Sequence, residues 1–325
     1  MKFLIRSTFL TLTFACANSS SVADELPTID ESIRVLSWNI SDDAFVSEQR
    51  AFQSLLLWAD PDVVLLDEVA PSANDEELRK SLAALDSDEK KTWTVNVGVS
   101  GGRQRCVIAS RTPQETLPEF QSIVPYPDAD RRYLLDHMSS KDRANSSYSM
   151  DGGIPVNGAI ILAGGRRLFA VIADLQCCGN SQDSWQEYRR RAEAREIRRL
   201  IRQVLQRTSV DGIVIAGDFN LVNGPMPLVV LSGPYSPTHT GMIAAELYHP
   251  DGSASWTWDG RRTPFPSSTL DYQLYGPQGL VMRSGFILDT ERLPLEALEP
   301  YGLESGASAR TGRHRPLVVE YGWNQ

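Results

Sequence analysis

The stretch Ile213-Val214-Ile215-Ala216-Gly217-Asp218-Phe219-Asn220 passes from apolar residues into polar ones. Its apolar half is short and rich in β-branched residues, which predicts a buried strand. Side chains two residues apart on a strand point the same way, so Asp218 and Asn220 share one face at its end. A carboxylate can hold a hard cation or a water, and a carboxamide offers both donor and acceptor to a phosphate. The alternative is an ordinary strand end, because Gly, Asp and Asn all favour turns.

The first part of the chain shows the same pattern twice. Residues 33–39 and 63–66 are apolar runs that predict strands, and the helical spacing of apolar residues in 45–59 predicts an amphipathic helix between them. The first strand ends at Asn39 and the second is followed by Asp67-Glu68. In open α/β sheets ligands bind at the carboxyl ends of the strands. The sequence therefore predicts an α/β fold with polar residues gathered at one sheet edge.

Further elements follow from the same reading of periodicity and turns. We predict two hairpins, one from 92–99 and 106–109 and one from 159–162 and 168–175, with later strands in antiparallel pairs at 213–217, 269–275, 280–288 and 316–321, and a short helix near 293–299. Residues 112–157 are polar and irregular and predict a long loop. The mixture of strand directions predicts mixed sheets.

The clearest predicted helix covers residues 184–206 and carries seven arginines. These could form a patch for nucleic acid, but glutamates are interspersed among them at 187, 193 and 196. Alternating charges of this kind are typical of a solvated, ion-paired helix face. We therefore predict that this face is structural.

Composition places the chain among ordinary globular proteins. It has 325 residues, 42% of them hydrophobic, and a net charge of -9 with a pI near 5.1. That charge argues against bulk attraction to nucleic acid. We predict one domain over residues 30–323, a monomer, and no integral membrane span, because no later stretch is long and apolar enough to cross a bilayer.

The N-terminus has the features of an export signal. Lys2 and Arg6 flank a short apolar run, and small residues precede Asp24. This pattern predicts a signal peptide over residues 1–23, and hence a periplasmic or secreted protein. Lipid attachment at Cys16 is the alternative. Cys106, Cys177 and Cys178 then remain. Three alternatives stay open: a disulfide from Cys106 to Cys177 or Cys178, a strained disulfide between the adjacent Cys177 and Cys178, and free thiols.

Polar residues at strand ends form an ordered set of motifs along the chain. The set runs over residues 33–321: Ser37-Trp38-Asn39-Ile40, Leu65-Leu66-Asp67-Glu68-Val69, Ile215-Ala216-Gly217-Asp218-Phe219-Asn220-Leu221, Thr269-Leu270-Asp271-Tyr272 and His314-Arg315-Pro316-Leu317. It resembles the endonuclease/exonuclease/phosphatase superfamily, which includes apurinic endonucleases, pancreatic-type deoxyribonucleases, neutral sphingomyelinases and inositol-phosphate phosphatases. The resemblance implies a four-layer α/β/β/α sandwich, in which two packed mixed sheets are flanked by helices.

The resemblance also implies roles for the motif residues. Glu68 and Asn39 would place a divalent metal, Mg²⁺ or Mn²⁺, with Glu68 as the direct ligand. Asp271 would hold the ring of His314, which would stabilise or protonate the phosphoryl oxygens. Asp218 would position the attacking water and Asn220 the phosphate. Such chemistry depends on positioning and charge neutralisation and needs no covalent intermediate.

Two positions depart from the family pattern. Arg313 stands where many members have an aspartate before the histidine, and Asp174 stands where many have a phosphate-binding histidine. We place both among the substrate-binding candidates. One hypothesis is that Asp174 and Arg313 face each other and preserve the local charge. The other is that both mark a weakened enzyme.

Two functions follow from these residues. The first is an exported metal-dependent phosphoesterase acting on a phosphodiester or phosphomonoester, and the second is a catalytically weakened binding protein on the same scaffold. The partner is a phosphate ester, and nucleic acid, a lipid head group and a small molecule all stay open. We expect Trp256 and Trp258 to pack in the core. Further candidate phosphate contacts are Arg131, Arg132, Arg261 and Arg262.

Overall fold

A computed structural model of the chain describes residues 32–324 apart from 43, 74, 84, 86–92, 180 and 223. The predicted signal peptide and Cys16 lie outside the described residues. Within the described residues, no helix is both long enough and apolar enough to cross a membrane. This agrees with the absence of a predicted span in the same region.

Two six-stranded sheets form the centre of the fold. The strands are β1 (Ser32–Asp42), β2 (Val63–Val69), β3 (Thr94–Val97), β4 (Arg105–Ser110), β5 (Gln114–Thr116), β6 (Val156–Ala163), β7 (Arg166–Ala173), β8 (Gly212–Asp218), β9 (Ile243–Ala244), β10 (Asp271–Tyr275), β11 (Leu280–Ile287) and β12 (Leu317–Trp323). The first sheet has the order β11-β12-β1-β2-β4-β3 and the second β5-β6-β7-β8-β10-β9. Strands β1 and β2 are parallel, as are β7 and β8, while β12 and β10 pair antiparallel to β1 and β8. Both sheets are therefore mixed.

Helices cover the outer face of each sheet. They are α1 (Ala44–Ser47), α2 (Gln49–Ala59), α3 (Asp75–Ala83), α4 (Asp128–His137), α5 (Ser140–Ala144), α6 (Trp185–Arg207), α7 (Met226–Leu231), α8 (Leu295–Leu298) and α9 (Ala307–Arg310). The inner layer, which includes Leu65 and Val214, packs the sheets together. On the outside, Phe52 of α2 packs on the first sheet and Ile197 of α6 belongs to the cluster on the second. The predicted four-layer α/β/β/α sandwich is confirmed.

The structure corrects two predicted elements. Residues 112–157 are not one long loop, because β5, α4, α5 and the start of β6 lie within them. The helix predicted over 45–59 is divided into α1 and α2 by a turn at Glu48. Both predicted hairpins are present, as β3–β4 and β6–β7.

The arginine-rich helix α6 is ion-paired as predicted, but part of that face is buried rather than solvated. Arg190 and Glu187 have no exposed surface, and their side chains pair at 2.8 Å. Arg190 also donates to the carbonyl oxygens of Gln176 and Cys178 at 2.7 and 2.8 Å. The helix therefore fixes the segment that follows β7.

Candidate active site

The strand directions bring the predicted site residues to one edge. Asn39 and Glu68 lie near the carboxyl ends of the parallel strands β1 and β2, and β8 ends at Asp218. Because β10 is antiparallel to β8, its first residue Asp271 pairs directly with Asp218. Antiparallel β12 begins where β1 ends, so His314, just before β12, lies there too, and the indole Nε1 of Trp38 donates to its carbonyl oxygen at 3.2 Å.

The ring of His314 lies between two carboxylates. Its Nδ1 is 2.9 Å from Oδ2 of Asp271, and its Nε2 is 3.8 Å from Oδ2 of Asp218. Burial by itself would lower the pKa of His314, but the charges of Asp271 and Asp218 outweigh it and raise the pKa to about 10. The imidazole is therefore protonated at neutral pH and can donate a hydrogen bond to an anion.

Two amides hold Asp218 and its neighbours in place. Asn39 donates from Nδ2 to Oδ2 of Asp218 at 3.3 Å, and the backbone N–H of Asn220 donates to Oδ1 at 2.9 Å. Asn220 also donates from Nδ2 to the carbonyl oxygen of Leu175 at 2.8 Å. Burial, followed by the charge of Asp271, raises the pKa of Asp218 to about 7. Thr257 donates to Asp271 at 2.5 Å, a contact that the sequence gave no reason to expect.

A second group of carboxylates lies on the other side of Asp218. One oxygen each of Glu68, Asp174 and Asp218 lies within 4.8 Å of the others. Asp174 is only 4% exposed, and no hydrogen bond from a described residue reaches its carboxylate. Glu68 and Asn220 adopt left-handed backbone conformations, with φ of 51° and 49°. Residues other than glycine disfavour this region, and such strain is common at functional sites.

Asp67 is a buried acid at this edge for which sequence reasoning gave no role. It has no exposed surface, and no described residue gives either carboxylate oxygen a hydrogen bond. Burial and then the charge of Asp271 raise its pKa well above the usual range. The alternation of side chains along β2 could have revealed that Asp67 is buried, because Val63, Leu65 and Asp67 share the face that packs between the sheets.

The structure separates the two departures from the family pattern. The guanidinium of Arg313 donates from Nη1 to the carbonyl oxygens of Asp259 and Arg261 at 3.2 and 3.3 Å. The groups that act most strongly on Asp174 besides burial are Glu68 and Asp218, both carboxylates. Within the described part of the chain, Asp174 and Arg313 make no contact, so the hypothesis that they face each other is wrong.

Two of the other four predicted phosphate contacts are paired with carboxylates. Arg131 pairs with Asp151 at 2.7 Å, and Arg261 pairs with Asp259 and Glu291 at 2.7 and 2.6 Å. Arg132 and Arg262 are exposed side chains. A role in substrate binding stays a prediction for each of these arginines, as it does for Arg313.

Two cavities open beside Glu68. One, of about 790 Å³, is also lined by Asp218, Asn220, His314 and Trp258. Trp258 is half-buried at this wall, and Trp256 is half-buried too, which corrects the expectation that the two tryptophans pack in the core. The other, of about 270 Å³, is lined by Asp174, Gln176 and the segment 146–149.

The three described cysteines are free thiols. Cys106 is buried, whereas Cys177 and Cys178 are exposed, and the Cys178 thiol donates to Sγ of Cys177 at 3.0 Å. Cys177 lines both cavities beside Glu68. Of the alternatives left open by the sequence, the structure therefore contains the free thiols.

The two-sheet sandwich, the acidic strand-end site and the buried His–Asp pair together form a phosphoesterase-type fold with acids that could bind a metal. The sequence pattern of the Endonuclease/Exonuclease/phosphatase family matches residues 35–292 of this chain. The chain belongs to this family. None of the curated protein sequences matches it.

Several solved structures share the fold of this chain. The TDP2 of D. rerio, complexed with a single-strand DNA product, is 15% identical with a TM-score of 0.52, and the match covers 90% of this chain and 100% of that one. The human Nocturnin catalytic domain with bound sulfate is 17% identical with a TM-score of 0.53, covering 90% and 94%. An endonuclease/exonuclease/phosphatase from Beutenbergia cavernae is 16% identical with a TM-score of 0.54, covering 90% and 72%. At these identities the likeness concerns the fold.

Proposed function

We propose that this chain is an exported phosphoesterase that depends on a divalent metal, Mg²⁺ or Mn²⁺, and hydrolyses a phosphate ester by direct attack of water. The observation that carries the proposal is the position of His314. It is held by Asp271 at 2.9 Å and shares a cavity with Glu68, Asp218 and Asn220. Export is supported by the N-terminal sequence pattern.

The residues present fit a divalent cation. Carboxylates are the ligands that hard cations prefer, and Glu68, Asp174 and Asp218 bring one oxygen each within 4.8 Å of the others. Burying unpaired carboxylates is unfavourable, and the buried oxygens of Asp67, beside this set, have no hydrogen-bond partner among the described residues. Glu68, Asp174 and Asp218, with the amide of Asn39, would hold the ion. When bound, it would neutralise negative charge on the phosphate group.

The protein groups have distinct tasks in the reaction. Asp218, whose pKa is raised to about 7, accepts a hydrogen bond from the attacking water and orients it. A new bond forms between the water oxygen and phosphorus as one ester P–O bond breaks, and the proton lost by the water balances the one gained by the leaving alcohol. Protonated His314 donates from Nε2 to a phosphoryl oxygen, and Asp271 fixes its ring through Nδ1.

Hydrolysis of bis-p-nitrophenyl phosphate tests this function. With Mg²⁺ or Mn²⁺ the wild type should release nitrophenolate, and His314→Ala should lower kcat by about 10²–10⁴-fold, as expected for loss of a group that transfers or shares a proton in the transition state. His137→Ala, at an exposed histidine on α4, is the control and should match the wild type. Equal rates for wild type and His314→Ala would leave the weakened binding protein as the function, an alternative favoured by Arg313, which stands where many members of the family have an aspartate.

A further inference from the structure

The two cavities that meet at Glu68 differ in chemistry, and the difference concerns the substrate. From them we infer that the preferred substrate is an asymmetric phosphodiester that joins a bulky apolar group to a small polar one. This inference rests on the proposed function, because it takes the phosphate to lie between the cavities at Glu68, Asp218 and His314. It names the substrate class that the proposed function leaves open.

The larger cavity has apolar walls. Besides the site residues it is lined by Leu221, Val222, Trp258, Phe265 and Pro266. Its volume of about 790 Å³ lies within the range of about 300–1,000 Å³ that is usual for cavities holding an organic ligand. Phe265 is 67% exposed at this wall, and apolar surface of this kind gains free energy when a ligand removes it from water. An apolar substituent is the group that fits this side.

The smaller cavity is polar. Hydroxyl and amide side chains of Ser146, Ser147, Gln104 and Gln176 line it, together with the close-packed glycines at 101 and 102. Its volume of about 270 Å³ is smaller than that of most ligand cavities, so it suits a small group. Arg189, which also borders it, is bound to Glu193 at 2.9 Å, whereas Arg103 is exposed at this cavity and donates to the Ser146 hydroxyl at 3.4 Å. A small polar substituent therefore matches this side.

Charge disfavours a polynucleotide. Proteins that bind single strands combine stacking aromatic residues with a basic groove that follows the backbone. Trp258 and Phe265 supply aromatic surface, but the larger cavity has no lysine or arginine among the lining residues that the structure describes. The nearby guanidinium of Arg313 is directed to two carbonyl oxygens. With a net charge of -9, the chain offers no compensating attraction.

The test compares esters that differ only in the apolar substituent. Methyl, octyl and benzyl glyceryl phosphate are supplied as monomers with Mn²⁺, and the phosphomonoester released is converted to inorganic phosphate by an added phosphomonoesterase. We expect kcat/KM for the octyl or benzyl ester to exceed that for the methyl ester about tenfold or more, which burial of two methylene groups would supply. The octyl and benzyl arms distinguish an aliphatic from an aromatic substituent.

A paired variant locates the effect. Phe265→Ser should lower the octyl-to-methyl ratio about three- to tenfold, whereas Leu295→Ser, which removes an equally exposed apolar side chain outside either cavity, should leave that ratio as in the wild type. Both positions are on the surface, so folding is not at stake.

Three results would overturn the inference. Equal kcat/KM for the methyl, octyl and benzyl esters, with activity still dependent on His314, would refute the apolar substituent but leave the phosphoesterase. Faster hydrolysis of oligothymidylate than of all three esters would assign the cleft to nucleic acid. Hydrolysis of none of these probes would remove the proposed function and the inference together.

Discussion

Helix α6 and the strand-end site both bury carboxylates, but those on α6 are paired with arginines and those at the strand ends are not. On α6, Glu187 is paired with Arg190 at 2.8 Å and Glu193 with Arg189 at 2.9 Å. At the strand ends, Asp67 is as deeply buried, yet no described residue gives either of its carboxylate oxygens a hydrogen bond. Asp174 is 4% exposed, and the charges that act on it most strongly are those of the carboxylates Glu68 and Asp218. A buried charge without a partner is far more costly than a paired one.

The contrast separates structural acids from functional ones. The paired glutamates connect α6 to the segment after β7, since Glu193 accepts from the backbone N–H of Gln176 at 2.8 Å. That segment carries Asp174 and Cys177 into the site. Asp174 thereby lies close to Glu68 and Asp218, and we infer that a bound cation supplies the positive charge that these carboxylates lack. The three predictions below test the two sides of this comparison.

The largest effect should come from breaking a buried pair on α6. Arg190→Ala would leave Glu187 buried with less compensation and should lower the free energy of unfolding by about 3–5 kcal/mol. Arg191→Ala is the matched control, because Arg191 contacts the same glutamate but is 30% exposed, and it should cost at most about 1 kcal/mol. Urea unfolding measures both. An equal decrease in the free energy of unfolding for both variants would show that burial of the ion pair does not increase the cost of breaking it.

Adding a divalent cation should stabilise the folded protein through the carboxylates of the strand-end site. Mn²⁺ at 100 times its dissociation constant should raise the free energy of unfolding by about 2.7 kcal/mol, because it binds only the folded chain. Glu68→Gln should remove most of this gain, and Glu304→Gln, at an exposed ion pair with Arg310, should keep it. Thermal unfolding with and without Mn²⁺ is the measurement. A gain that survives Glu68→Gln would place the ion elsewhere.

Removing one unpaired acid should stabilise the metal-free protein by a smaller amount. Burial raises the pKa of Asp174 well above its ordinary value of 3.8, so the folded state holds a proton that the unfolded state releases. Stability is therefore lost as pH rises above 3.8, and Asp174→Asn should gain about 1–3 kcal/mol at pH 8 and nothing below pH 3.8. Denaturant unfolding across this pH range is the measurement.

Asp259→Asn is the control of opposite sign. Burial would raise the pKa of Asp259, but hydrogen bonds from Arg261 and the charge of Arg315 outweigh it and lower the pKa to about 2. Its contribution is present above pH 3.8 and is lost as pH falls through 2, so Asp259→Asn should reduce stability at pH 8. The same sign for both variants would contradict the distinction between paired and unpaired acids.

Sequence reasoning reached the parts of the molecule that are encoded locally. Asp218 and His314 could be found because each stands at a fixed offset from an apolar strand. Arg190 could not be recognised as buried, since its partners include carbonyl oxygens 12 and 14 residues away in an irregular segment. The helices within 112–157 were missed because α4 has only one buried apolar residue, Leu134, and so lacks a stripe. The sequence could not show that Asp174 and Arg313 lie apart, because their positions depend on tertiary contacts and not on the spacing of residues along the chain.

The left-handed backbone at Glu68 and Asn220 means that the substitutions that would relieve strain at these positions would also remove two residues of the site. Left-handed φ costs an ordinary residue roughly 1–2 kcal/mol, a penalty that glycine escapes. Variants selected only for heat resistance would therefore tend to acquire glycine at these two positions and lose the carboxylate and the carboxamide. Ancestral or consensus redesign of this fold should keep both residues fixed and seek added stability in other parts of the sandwich.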